Sequence, residues 1–322
     1  MRQIAVFACA FLVGGSAFAT DSQLLNLVMP DAQVMAGVNV TTAEISPLGQ
    51  YLLGQIGSND KGLQTFIGAT GFDPRKDVTE ILMASAGKST TPGGLLLAKG
   101  TFDVAAISAA VANGKNNQVS TYDGAMLIGS TDPKEMHALA FIGSSIAVAG
   151  DLGSVKAALD RSNGVNSISP ELAALVQSLS TSEDAWSVSI ASVGSLLPNL
   201  GTNAPAGNAT QMLQLVKNIQ SSSGGVQFRQ NDVVFSGQAV ADTPQDASAV
   251  ADLVRMATAL ISMGAAQNPQ AAGAAQLLQS LQVTTTDATV NITASIPEAQ
   301  IEAALRAVTA KSPAAAAKSR RL

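Results

Sequence analysis

The sequence predicts an α+β protein of two tandem similar halves, each an antiparallel sheet with helices packed on one face. Three observations carry this expectation. The alternating run Ile146-Ala147-Val148-Ala149 breaks at Gly150-Asp151 and passes into Val155-Lys156-Ala157-Ala158-Leu159, which reads as strand, cap and helix. The same phrase returns at Leu95-Leu96-Leu97-Ala98 before Phe102-Asp103, at Val233-Val234-Phe235-Ser236 before Thr243-Pro244, and at Val290-Asn291-Ile292-Thr293 before Pro297-Glu298. Each copy runs into an alanine-rich helix, and an apolar helix stripe needs a sheet face to cover.

Residues 1–19 read as a secretory signal peptide. Arg2 gives a positive start, Ile4 to Val13 an apolar run, and Ala17-Phe18-Ala19 a small-x-small cleavage site. The apolar run is shorter than the roughly 20 residues of a spanning helix, so cleavage after Ala19 is expected. Cleavage also removes Cys9, the single cysteine, which leaves no disulfide, thiol nucleophile or thiolate metal site. The first half then covers residues 20–165, the second 166–311, and residues 312–322 form a flexible basic tail.

In the first half a strand centred on Val38-Asn39-Val40 leads to a helix through Leu48, Leu52, Leu53 and Ile56, and a second helix spans Leu63 to Ala69. After the turn at Asp73-Pro74 comes the strand Val78 to Ser85, which makes a hairpin with Leu95 to Lys99; a helix from Asp103 to Ala112 stops at Asn113-Gly114. Hairpins follow at Asp123-Gly124, a dipeptide that type I′ turns favour, and around Gly143-Ser144-Ser145. Asp151 caps the next helix, and Ser169-Pro170-Glu171 starts the helix that joins the halves. In the second half Val188 answers Val38, Val233 answers Leu95 and Val290 answers Ile146, at offsets of 150, 138 and 144 residues. A helix marked by Met212, Leu215, Val216 and Ile219 precedes the pair Val226 to Arg229 and Val233 to Ala239. A long helix from Pro244 carries Val250, Leu253, Val254, Ala257, Leu260 and Ile261 on one face. Asp252 and Arg255 interrupt its other face, so it does not read as a membrane span. A short helix from Ala271 to Leu281, a hairpin turning near Asp287 and a final helix with Ile301, Leu305 and Val308 facing inward complete the chain.

Composition narrows the function classes. Aromatic residues make up 4% of the chain, with Trp186 alone of its kind, so stacking platforms for sugars or single strands are scarce. Without the signal the chain carries 17 basic and 23 acidic groups, which argues against nucleic acid as a partner. Five of the basic groups, Arg306, Lys311, Lys318, Arg320 and Arg321, follow the last acid, Glu302. The stretch beyond Lys311, with Lys318, Arg320 and Arg321, reads as a solvated end that can make weak contact with an anionic membrane or wall polymer, each basic group near such a surface being worth about 1 kcal/mol.

The sequence holds no Gly-x-Ser-x-Gly elbow, phosphate loop, dinucleotide loop or calcium loop, and its one histidine, His137, cannot make a His-based zinc site alone. No catalytic, cofactor or metal residue is therefore assigned. His137 is expected at the start of a strand as a partly exposed edge residue. The densest polar cluster is Asp73-Pro74-Arg75-Lys76-Asp77. Its two carboxylates could hold a ligand or metal, but the neighbouring cations favour a turn made by Asp73 and local pairing of Asp77. Asp73, Arg75, Lys76, Asp77 and His137 are the ligand-site candidates.

Gly71-Phe72-Asp73-Pro74 before Asp77-Val78, with Gly100-x-Phe102-Asp103 opening a helix, resembles an uncharacterised family of secreted bacterial proteins over residues 34–162. The resemblance implies a fold and an exported compartment, periplasm or cell surface, and no activity. The expected role is non-catalytic binding or scaffolding, with an envelope protein or polymer as partner. Two alternatives stand beside it: a hydrolase of an envelope polymer working through carboxylates, and a carrier holding an apolar ligand between loosely packed Ala- and Met-rich helices and a sheet.

Overall fold

In the computed structural model, residues 19–55, 61–87, 93–112, 117–131, 137–196, 215–267 and 275–311 are described. The signal segment with Ala17, the helix stop at Asn113-Gly114, Met212 and the basic tail from Ser312 lie outside them.

The described strands form one antiparallel sheet. In chain order they are β1 (Val34–Asn39), β2 (Val78–Ser85), β3 (Gly94–Gly100), β4 (Asn117–Tyr122), β5 (Ala125–Ser130), β6 (His137–Ile142), β7 (Ile146–Asp151), β8 (Ala185–Ser189), β9 (Ile219–Phe228), β10 (Asp232–Ala241), β11 (Gln282–Thr286) and β12 (Thr289–Pro297). Their spatial order is β11-β12-β10-β9-β8-β1-β2-β3-β7-β6-β5-β4. The sheet therefore does not stop between the proposed halves: β1 pairs with β8, Met35 opposite Val188 and Gly37 opposite Trp186. Outward from that central pair, Val38, Leu95 and Ile146 lie in the first, third and fourth strands of one wing, and Val188, Val233 and Val290 in the same positions of the other.

Helices pack on both faces, not on one, because a strand such as β7 is apolar on both sides: Ile146 and Val148 join one core and Ala147 the other. On the inner face, α1 (Ser22–Leu27), α7 (Leu152–Asp160) and α8 (Pro170–Ser182) cover Met35, Leu82, Leu97, Val148 and Val188. Leu24, Leu159 and Leu172 are fully buried there. On the outer face of the first wing, α4 (Lys61–Thr70) and α6 (Val104–Ala112) bring Phe66 and Ile107 to a cluster with Phe72, Phe102, Phe141 and Ala147. Phe102 stacks between Phe72 and Phe141 with centroid separations of 5.4 and 5.3 Å. At the far end of the other wing the long helix Pro244–Gln267 buries Ala247, Val250 and Ala251 against Ile219, Ala241 and Val290. The final helix, Glu298–Lys311, meets α3 (Pro47–Gln55), where the Glu298 carboxylate accepts the Leu48 N–H.

Several local expectations appear in the backbone. Asp123 and Gly124 both take positive φ, 45° and 76°, as a type I′ turn requires. Asp151 accepts the Ser154 N–H at 2.9 Å, and Ser169 accepts that of Leu172 at 3.2 Å. The second half differs from expectation at Ile219, which opens a ten-residue strand and does not close a helix. The run Ser221-Ser222-Ser223-Gly224-Gly225 reads as a loop locally, yet pairing with both β8 and β10 holds it extended. Between Ala271 and Leu281 the described part is helical only at 275–277 and then turns.

Candidate functional site

The residues singled out for ligand binding are held in two separate places. Asp73 caps the short helix α5 (Pro74–Asp77), accepting the Arg75 N–H at 3.1 Å, while the Arg75 guanidinium grips the same carboxylate through Nε at 2.8 Å and Nη2 at 2.7 Å. That bidentate hydrogen bond holds the Asp73 carboxyl below its ordinary range, against the opposing effect of burial. Asp77 closes the turn from the other side, its Oδ2 accepting the Asp73 N–H at 2.7 Å. Arg75 and Lys76 also line a shallow hollow of about 410 Å³ with Glu44, Gln50, Leu53 and Gly54. His137 opens β6, exposed and opposite Asp151. Because β6 lies between β5 and β7, its exposure comes from the end of the strand and not from a sheet edge. Among the described residues no group of three or more metal-ligating side chains comes together.

A different region has the form of a binding site. Between the aromatic cluster of one wing and the long helix of the other, no helix among the described residues lies over the middle of the outer sheet face. Strand alternation places Val34, Ala36 and Val38 of β1, Ile81 and Met83 of β2, Leu96 of β3 and Ala149 of β7 on this face. Across the central pair, Ala185 and Ser187 of β8, Val226 of β9 and Phe235 of β10 continue it. Met83 and Leu96, directly opposite each other, are 51% and 45% exposed. Two adjoining hollows of about 450 and 390 Å³ lie along this strip and share Ala36 and Met83. None of the residues lining either hollow is ionisable. A contiguous apolar surface on a folded chain marks a place where something else binds.

The inner face of β9 to β12 shows the contrast. There strand alternation places Ser223, Ser236, Gln238, Asn291 and Thr293 side by side, a polar face over which no helix lies among the described residues. Glu183 stands at the border of this polar face and α8. Burial pushes its carboxyl up; the Ser236 hydroxyl donates to Oε1 at 2.9 Å, and Oε2 is buried without a hydrogen-bond partner among the described residues.

The long helix supplies a second exposed apolar feature. Its first turns are packed on the sheet, and Arg255 donates to the Val283 carbonyl of the edge strand β11 at 2.8 Å. Beyond that anchor Met256, Leu260, Ile261 and Met263 are 45%, 57%, 40% and 61% exposed. The segment Pro244–Gly264 is long and apolar enough to cross a membrane by length and composition, but its charged pair Asp252 and Arg255 sits at the middle, and Ala247, Val250 and Ala251 belong to the core.

Sequence reasoning missed the open strip because periodicity shows that both sides of a strand are apolar, not which side a distant helix leaves bare. The run Leu95-Leu96-Leu97 was the available signal: a continuous apolar strand asks for cover on both faces.

The described residues define an α+β protein built on one large antiparallel sheet, with an apolar strip at its centre that no described helix covers. Its architecture is similar to that of the protein TP0453, solved in several crystal forms. Against form III the TM-score is 0.56 at 11% identity, covering 87% of this chain and 96% of that one. Forms I and IV both give 0.53, at 10% and 11% identity, with 89% and 88% of this chain covered and 97% of the other in each. At such identity the likeness is one of fold. No protein-family model matches the sequence, and no curated protein does.

Proposed function

We propose that this is an exported envelope protein that binds an apolar ligand, such as a long acyl chain, along the bare strip of its sheet. The observation that carries the reading is the pair of adjoining hollows floored by Ala36 and flanked by Met83, Leu96 and Phe235 without one ionisable group. A hydrolase working through carboxylates would need convergent acids, and the strip offers none. Small floor residues at Ala36, Ala149 and Ala185 leave room, and half-exposed Met83 and Leu96 leave apolar area for a ligand to cover.

The outer half of the long helix fits the same role. From Arg255 to Gly264 it spans about 15 Å, half the thickness of a hydrocarbon core, so it suits lying in a lipid surface and not crossing it. The charge-free stretch from Met256 to Thr286 would carry no desolvation cost for charged groups there. Contact with a lipid surface would give an apolar cargo a route that avoids water. The two-half organisation, 20–165 and 166–311, belongs to this proposal as well; it is supported by the matching strand positions about the β1–β8 pair.

The test is a titration of the delipidated protein with a long-chain fluorescent acyl probe, alongside flotation with phosphatidylglycerol-containing vesicles. Saturable one-to-one probe binding, competed by unlabelled fatty acid, is expected. Absence of saturable binding to a folded protein would remove the ligand reading.

A further inference from the structure

We propose that removal of the signal peptide completes an ion-paired latch, in which the new α-ammonium of Thr20 pairs with Glu80 and locks α1 to the sheet. The residues after the cleavage site are held in place by polar contacts. The Asp21 N–H points at the Glu80 carboxylate, 3.3 Å from each oxygen. The Asp21 side chain caps α1 by accepting the Gln23 N–H at 2.7 Å, and it pairs with the Lys99 ammonium. Glu80 and Lys99 face each other across β2 and β3 on the inner face, where α1 docks. Among the described residues, Asp21, Glu80 and Lys99 are the charged groups of this cluster: two carboxylates and one cation.

The missing cation comes from processing. The Thr20 side chain adjoins the Glu80 carboxylate and favours its charged form, and the Thr20 backbone nitrogen is one bond away from the same Cα. In the precursor that nitrogen is an uncharged amide. Hydrolysis of the Ala19–Thr20 bond, with water as co-reactant, leaves a carboxylate on Ala19 of the departing segment and a free amine on Thr20. That amine is protonated below its pKa of about 8 and brings the cluster to charge balance. Burial pushes the Glu80 carboxyl up in the unprocessed chain, so an adjacent ammonium has a half-buried anion to stabilise. Since Leu24 and Leu27 of α1 are buried over Met35, Leu82 and Leu97, the latch ties processing to completion of the main core.

The inference rests on cleavage before Thr20 and is independent of the ligand proposal. Full-length mature chain starting at Thr20 is compared with chain retaining Ser16 to Ala19, each with Glu80 and with Glu80→Gln, by denaturant unfolding. At about pH 6.5 the processed chain should show an unfolding constant about tenfold lower than the extended one, a gap that closes near pH 9.5 where the amine is neutral. The gap should also vanish in Glu80→Gln. N-terminal acetylation of the Thr20 chain should reproduce the extended form, and because it leaves Glu80 in place it covers the case in which Glu80→Gln fails to fold. Equal stabilities at the lower pH, a gap that survives Glu80→Gln, or a mature N-terminus other than Thr20 would each overturn the proposal.

Discussion

Replacing Met83 and Leu96 by serine should weaken ligand binding by a predictable amount and leave the fold nearly intact. Fully burying a side chain of this size is worth about 1.5–3 kcal/mol. With Met83 51% and Leu96 45% exposed, a ligand that covers either would gain about half of that, near 1 kcal/mol. Each single serine variant should therefore raise Kd about fivefold, since about 1.4 kcal/mol corresponds to tenfold. The two residues are cross-strand partners, so the double variant should fall short of the additive loss of about 25-fold. Because the lost atoms lie on a bare face, the unfolding free energy of each single variant should change by less than about 1 kcal/mol. Probe titration gives the first quantity and calorimetry of the same samples the second. An unchanged Kd in both single variants, or a loss of binding that merely tracks a large loss of stability, would refute the reasoning.

Gly37→Ala tests the inner face: a Cβ there would stand 2.6 Å from the Trp186 indole carbons, so overpacking should cost about 1–3 kcal/mol in chemical denaturation. Leu260→Asp with Met263→Asp should abolish vesicle flotation while leaving probe binding and melting temperature near wild type, because both residues lie beyond the packed turns of the helix. Glu183 gives a pH test. Burial raises its folded pKa above the unfolded value, so ionisation disfavours the folded state; the penalty is absent well below the usual carboxylate range and grows as pH rises through it. Glu183→Gln should thus raise the melting temperature at neutral pH relative to wild type and confer no gain in acid.

Elements whose residues speak locally were legible in the sequence. The turn at Asp123-Gly124, the cap at Asp151 and the proline start after Ser169 follow from side-chain and backbone preferences that distant partners do not alter. Asp21 before Ser22-Gln23-Leu24 carried a cap signal of the same kind for α1, overlooked beside the signal peptide. What depends on remote pairing was not legible: β9 is extended only because β8 and β10 flank its serine and glycine run, and the join of β1 to β8 brings together segments about 150 residues apart. The apolar strip belongs to that second class, since its bareness follows from where the helices α4 and α6 and the long helix stop. The Asp73 cluster and His137 attracted notice as rare polar groupings, and Asp73 and Asp77 spend their oxygens on the turn before β2.

The most direct test of the account is to map where an apolar chain lies. Protein loaded with one equivalent of a photoactivatable long-chain fatty acid should, after irradiation and peptide analysis, carry label on β1 to β3 around Ala36, Met83 and Leu96, with weaker label near Val226 and Phe235. Excess unlabelled fatty acid should suppress it. Label confined to Met256–Met263, or spread over the protein without competition, would contradict the claim that the bare sheet strip is the binding site.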